Sequence, residues 1–211
     1  MPVDLTIYGF DASTYVRTVR MLMAEKKAPY SLVPVNVLTG ETHQAEHLAR
    51  HPFGKVPVLD HGAFRIIETG AIVRYLDDAL QGKSLVPDNP RDRARMDMGM
   101  AIVDAYGYAA LIGVAGYHLF PEIIGGKNEA MREACIERSQ LVLTELMKLR
   151  GVDTWIAGPE LSLADLFLAP ICFYVGMTED AARVFGVPGF AEWWELVQGR
   201  ESFKATAPHL E

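Results

Sequence analysis

One proline constrains this chain more than any other residue. Pro57 follows the β-branched Val56 and stands directly before the strand-forming pair Val58-Leu59, at the end of the run His51-Pro52-Phe53-Gly54-Lys55-Val56-Pro57. Proline has no N–H to give to a ladder, so it sits badly in a central strand unless the bond before it is turned. We read Val56–Pro57 as a cis bond, which reverses the chain and leaves the Val56 N–H and C=O facing outward to pair with a peptide-like ligand as a short added strand. Beyond Leu59 come Glu68 and Thr69, at the mouth of an apolar-striped helix. Exposed backbone flanked by a cation (Lys55), an anion (Glu68) and a helix N-terminus is a receptor for a small zwitterionic peptide.

The elements around this stretch follow from period. Leu5-Thr6-Ile7-Tyr8 predicts a first strand, and Gly9 to Ala12 the loop leaving it. From Ser13 the period becomes helical, with Val16, Val19, Leu22 and Met23 on one stripe; Lys26-Lys27 and then Pro29 close the helix. A second strand is expected over about Tyr30 to Val37, parallel to the first through a right-handed crossover. Gln44 to Arg50 gives a helical turn or two. The strand after Pro57, the Asp60-His61-Gly62 turn and a strand over Phe64 to Ile67 make a hairpin. Thr69 is the expected N-cap of a third helix, with Ile72, Val73, Leu76 and Leu80 as its buried stripe.

Gly82 to Asn89, polar and turn-rich, reads as a linker. Beyond it only helices are expected: a long one from Pro90 to near Pro121, another over Asn128 to Leu149, and a last one over Ala191 to Gln198. Ser162-Leu163-Ala164-Asp165 has the spacing of a capping box, with Asp in place of Glu. Ser202 to Glu211 is expected to be loose. The predicted architecture is an α+β, thioredoxin-like N-terminal domain of order βαβ-α-ββα over residues 1–81, a linker at 82–89, and an all-α C-terminal domain at 90–211.

A net charge of −7 argues against nucleic acid as partner, so an anionic ligand group must be met by local cations. From Met98 to Tyr117 the one formal charge is Asp104, a span that invites a membrane reading. That charge, Gly99, Gly107, Gly113 and Gly116, and the lack of basic flanks indicate a buried helix instead, and no membrane is expected as partner. No secretory signal is legible, which makes the cytoplasm the expected compartment. Cys135 and Cys172 lack metal or redox spacing and are expected as buried small hydrophobes. His47 and His51 show no metal-ligand spacing, and no metal is expected.

The order Gly54-Lys55-Val56-Pro57, strand, tight turn, strand, Glu68-Thr69, helix resembles the cytosolic glutathione S-transferase superfamily, whose corresponding segment carries the cis-proline and the residues holding the γ-glutamyl end of glutathione. Gly9-Phe10-Asp11-Ala12-Ser13-Thr14-Tyr15-Val16-Arg17-Thr18-Val19-Arg20 looks like the phi and related serine-type classes, in a form that looks bacterial. The resemblance implies glutathione as co-substrate and an activating hydroxyl at Ser13. On the residues alone Ser13 is a plain N-cap, and Thr14 is its rival because a helix start cannot be fixed to one residue from sequence. Tyr8 lies one residue off the spacing of the tyrosine classes, and in a strand that shift turns the side chain to the other face.

The resemblance further implies Lys55 and His43 at the glycine carboxylate, Val56 and Pro57 at the peptide backbone, Glu68 at the ammonium, and Thr69 at the γ-glutamyl carboxylate. Phe10 and Tyr106 are candidates for an apolar electrophile pocket between the halves, and Asp104 either serves a ligand amine or is a capped or solvated carboxylate. Phe53 is an aromatic contact in a homodimer, or local packing under its loop. The implied function is transfer of glutathione to a small hydrophobic electrophile. The same thiolate would serve an isomerase, peroxidase or dehalogenase, and a non-catalytic glutathione-binding module would keep the fold. No cysteine falls between strand one and helix one, a departure from the omega and beta classes and their mixed-disulfide chemistry.

Overall fold

The structure, a computed structural model, describes residues 4–209. These form two compact units: residues up to Ser84 together with those from Glu201 onward, and Leu85–Arg200.

The first unit is built on a four-stranded sheet of order β2-β1-β3-β4, with β1 at Leu5–Gly9, β2 at Ser31–Pro34, β3 at Val58–His61 and β4 at Phe64–Ile67. β1 runs parallel to β2 and antiparallel to β3, and β3–β4 is an antiparallel hairpin. Side chains alternate along β1 as a half-covered strand requires: Leu5, Ile7 and Gly9 are buried while Thr6 and Tyr8 are half-buried. Helix α1 (Thr14–Glu25) packs against α3 (Thr69–Ala79), and Ile7, Val16, Val19, Leu22, Leu59, Ile72 and Leu76 are fully buried. Gly9 is where β1 meets α1, since a Cβ there would lie 2.4 Å from Val16 Cγ2. A short 3₁₀ turn (Glu41–His43) and α2 (Ala45–Leu48) lead into the proline stretch, and Val56–Pro57 is cis.

A buried ion pair ties the far ends of α1 and α3. Lys26 Nζ lies 2.7 Å from Asp77 Oδ1, with both side chains almost wholly buried. The same ammonium donates to the carbonyls of Asp77 and Lys83 at 3.0 Å each, and Ser84 Oγ donates to Asp77 Oδ2, so the pair has the hydrogen bonds that burial demands.

The second unit is helical: α4 (Pro90–Ile102), a π-helical turn (Val103–Gly107), α5 (Tyr108–Leu119), α6 (Glu129–Arg150), α7 (Leu163–Gly176), α8 (Ala181–Val184) and α9 (Phe190–Gly199). The continuous run Pro90–Leu119 is long and apolar enough to cross a membrane, yet Met96, Val103, Leu111 and Val114 are buried where α4 and α5 pack on α6 and α7. Asp165 is the polar centre of this unit. Its carboxylate accepts from the N–H groups of Ser162 and Ile156, Ser162 Oγ and Trp193 Nε1 at 2.8–3.0 Å. The expected capping box is thus present and also fastens α9 to α7. Burial nevertheless pushes the Asp165 carboxyl up, against the downward pull of those donors.

Several expectations change. β2 is shorter than Tyr30–Val37, because Val35 to Leu38 turn into an Asn36-centred loop in which the Asn36 side chain accepts from the Leu38 N–H at 2.8 Å. Glu68, not Thr69, is the N-cap of α3, and Leu80 is its half-buried C-cap rather than part of the buried stripe. Cys135 is half-buried; only Cys172 is fully enclosed. Of the segment expected to be loose, residues 202–209 are held in place, and 210–211 lie outside the described residues. Residues Glu201–Ala205 form α10, packed on α1, so the segment belongs with the first unit instead of closing the helical domain.

Candidate active site

The β-ladder registers bring the site together. Tyr8 faces Val58, and Val58 faces Ile67. Phe10 follows the end of β1, Val56 lies two residues before β3, and Thr69 lies two residues past the end of β4 as the first residue of α3. Ser13 follows Phe10 through a tight turn, its N–H donating to the Phe10 carbonyl at 2.9 Å.

Ser13 is the N-cap of α1, in extended backbone (φ −71°, ψ 127°), and its Oγ accepts from the Val16 N–H at 3.4 Å. That distance is at the long limit of a hydrogen bond, so the cap is weak. Capping uses an oxygen lone pair and leaves the hydroxyl proton to donate elsewhere. The two readings of Ser13 are therefore compatible. Thr14 differs: it is 7% exposed, and its Oγ1 is enclosed with no partner among the described residues. Tyr8 is engaged elsewhere, with its ring under the Arg50 guanidinium at 4.5 Å.

The proline stretch is backed by two buried imidazoles, His47 and His51. His47, 2% exposed, donates from Nε2 to the Lys55 carbonyl at 2.8 Å, fixing the peptide next to Val56. His51, also 2% exposed, accepts the Phe53 N–H on Nδ1 at 3.3 Å. Burial holds the His51 pKa below its ordinary value, with Glu68 pulling it up and His47 and Lys55 pressing it further down. One imidazole thus feels both Lys55 and Glu68. Both of those side chains are exposed. His43, exposed on the 3₁₀ turn, reaches the same place: a Cβ on Gly54, whose φ is +60°, would lie 3.2 Å from His43 Nε2.

Glu68 is the most unusual residue here. It holds φ 69° and ψ 118°, a left-handed conformation that costs a non-glycine residue about 1–2 kcal/mol, and its side chain caps nothing. The carbonyl of Glu68 accepts the Ile72 N–H at 2.9 Å and so opens α3, while Thr69 is buried as its first residue. Such strain gathers at ligand sites.

The remaining candidates are dispersed. Phe10 is half-buried in the Ser13 loop, and Phe53 is 70% exposed with its ring edge-on to His51. Tyr106 lies on the π-helical turn of the second unit, 58% exposed, and Asp104 is exposed on the same turn. Among the described residues, no group of His, Cys, Asp and Glu could hold a metal ion.

Comparison with known proteins gives the family of the chain. The family model "Glutathione S-transferase, N-terminal domain" matches residues 3–78, and "Glutathione S-transferase, C-terminal domain" matches residues 103–201. Glutathione S-transferase hmp2 of Hypomyces subiculosus is 32% identical, across 96% of this chain and 98% of its own. Glutathione S-transferase 4 of Zea mays is 29% identical across 97% and 92%. Among solved structures, glutathione transferase F7 from Populus trichocarpa superposes with a TM-score of 0.86 at 26% identity, covering 96% of this chain and 97% of that one. Maize glutathione S-transferase I, in complex with an atrazine glutathione conjugate, gives 0.84 at 26% identity, with 96% of each chain covered.

Proposed function

The chain belongs to the glutathione S-transferase family, enzymes that take glutathione as co-substrate, and we propose that it activates the glutathione thiol at Ser13 for attack on a small hydrophobic electrophile. The observation that carries this reading is the weakly capped hydroxyl of the half-buried Ser13 at the head of α1. A free thiol has a pKa of about 8.5, and lowering it by about two units requires roughly 2.7 kcal/mol of preferential thiolate stabilisation. A hydrogen bond to a charged group contributes about 1.5–3 kcal/mol and a helix N-terminus about 0.3–1 kcal/mol, so Ser13 and α1 together suffice.

The tripeptide fits the residues present. Val56 pairs with its backbone. Lys55 and His43 meet the glycine carboxylate; Glu68 meets the ammonium, and Thr69 with the opening amides of α3 meets the γ-glutamyl carboxylate. The thiol proton leaves to solvent as the Ser13 O–H turns to the sulfur. The thiolate lone pair then forms a carbon–sulfur bond while the displaced group departs with its electron pair. Phe10, in the Ser13 loop, offers an apolar contact for the electrophile, and the conjugate held by the maize neighbour supports an apolar acceptor. We place the enzyme in the cytoplasm, in keeping with two free cysteines, and as a homodimer through Phe53.

The test is Ser13→Ala, followed by ultraviolet absorbance of the bound thiolate and by the pH–rate profile. Loss of one charge-assisted bond should raise the bound thiol's pKa by about one to two units and cut kcat/KM at pH 6.5 about 10- to 100-fold. An unchanged profile would remove Ser13 from the role.

A further inference from the structure

The loop that presents Ser13 is held by a side chain the mechanism does not use. Asp11 sits two residues before Ser13 and is fastened on both carboxylate oxygens. Its Oδ1 is ion-paired with Arg20 of α1, a guanidinium that also reaches Tyr30 Oη at 3.2 Å. Its Oδ2 accepts the backbone N–H of His209 at 2.8 Å. Burial raises the Asp11 pKa, but the His209 N–H and Arg20 outweigh it and hold the carboxyl below its ordinary value.

His209 is delivered there by the C-terminal segment, which is attached along α1. The guanidinium of Arg17, 1% exposed, donates from Nη2 to the Phe203 carbonyl at 2.8 Å and lies 4.2 Å from the centre of the Phe203 ring. Ser202 Oγ donates to Glu25 at 2.5 Å, and Thr206 Oγ1 closes onto the Ser202 carbonyl at 2.6 Å. Arg17 also connects to the loop directly, its N–H donating to the Ser13 carbonyl at 2.9 Å. The segment therefore grips the helix that Ser13 caps and, through Asp11, the loop on the other side of Ser13.

We propose that Asp11 is a positioning residue for the Ser13 hydroxyl, and that the docked C-terminal segment sets thiol activation through its backbone contact at His209. This rests on the assignment of Ser13 as thiolate donor. The His209 side chain is 87% exposed and its Nδ1 is 3.3 Å from Asp11, so solvent screens that side-chain contact and the backbone N–H is the tether. His209→Ala should accordingly behave as wild type.

The experiment compares Asp11→Asn, Asp11→Ala and a chain shortened to end at Pro208, each alone and combined with Ser13→Ala. The readouts are the pH titration of the bound thiolate and separate kcat and KM values. Small misplacements of catalytic groups are costly, so Asp11→Ala and the shortened chain should each lower kcat at pH 6.5 by about three- to tenfold and move the thiolate titration upward, with KM for glutathione within about twofold. Asp11→Asn, which keeps an acceptor, should recover part of the loss. In the Ser13→Ala background the same changes should have no further effect. Equal losses with and without Ser13 would overturn the positioning role while leaving Ser13 in place. Loss in Asp11→Ala but not in the shortened chain would overturn the contribution of the segment. A Ser13→Ala profile identical to wild type would overturn the parent assignment, and this inference with it.

Discussion

Glu68 can be used to separate what its backbone costs from what its carboxylate contributes. At φ 69° any residue with a Cβ is strained, and glycine is not. Removing about 1–2 kcal/mol of left-handed strain, less about 0.4–1 kcal/mol for the extra freedom glycine gives the unfolded chain, leaves Glu68→Gly more stable than Glu68→Ala by about 0.5–1 kcal/mol. In a chain of this length that is a melting shift of about 1–4 °C. Both variants lose the carboxylate, so both should bind glutathione about 10- to 100-fold more weakly, the loss of one charge-assisted bond. Glu68→Gln, which keeps an acceptor and the strain, should melt with Glu68→Ala and bind between it and wild type. Scanning calorimetry of the four proteins, with isothermal titration of glutathione into each, gives both quantities. If Glu68→Gly melts no higher than Glu68→Ala, the strain is not real. If Glu68→Ala binds as tightly as wild type, the carboxylate is not a ligand.

Asp77→Ala would leave Lys26 charged, buried and without its counter-ion, and should destabilise the first unit by about 3–5 kcal/mol; a melting loss under 1 kcal/mol would mean that water reaches the pair. Asp180 accepts both arms of Arg132 and the His118 Nε2, and its pKa is held down to about 2, by Arg132 first. A carboxylate whose folded pKa is depressed contributes stability above its unfolded value of about 3.9, lost as the pH falls through the folded one; acid titration should show about 2 kcal/mol vanishing between about pH 4 and 2, and Asp180→Asn should abolish that segment of the curve. Phe53→Ala should weaken the proposed dimer at least about tenfold by sedimentation with a melting change under about 0.5 kcal/mol; a wild type that sediments as a monomer at every concentration would refute the homodimer.

The parts of this fold that were legible were those with local causes. Pro57 announced its cis bond because proline cannot join a ladder; Ser13 announced a helix start because its oxygen competes for backbone N–H groups; Asp165 announced a capping box by its distance from Ser162. What escaped depends on residues far apart in the chain. Asp11 meets His209 across 198 positions and Arg17 meets Phe203 across 186, so a five-residue helix with no stripe of its own looked loose until its partners were known. The role of His47 is not legible in the sequence because its ring bonds to a carbonyl eight residues away, and no property of histidine foretells that. Glu68 escaped for a different reason. Its strain is imposed by the strand and helix on either side, and the residue type argues against the conformation it holds.

Acidic residues open several helices away from the candidate site. Outside the site, α4 opens with Asp92, α6 with Glu129, α7 with Asp165 and α9 with Glu192 in the first turn, where a carboxylate stabilises a helix by about 0.3–1 kcal/mol. The two helices at the candidate site, α1 and α3, have none, and neither do α5 and α8. Left without them, the N–H groups at the heads of α1 and α3 keep their positive potential for an anion from outside the chain, and a glutathione thiolate and a γ-glutamyl carboxylate are two such anions on one ligand. Glu68 does not break this pattern, because its side chain makes no bond to the α3 amides and stays exposed for a cation.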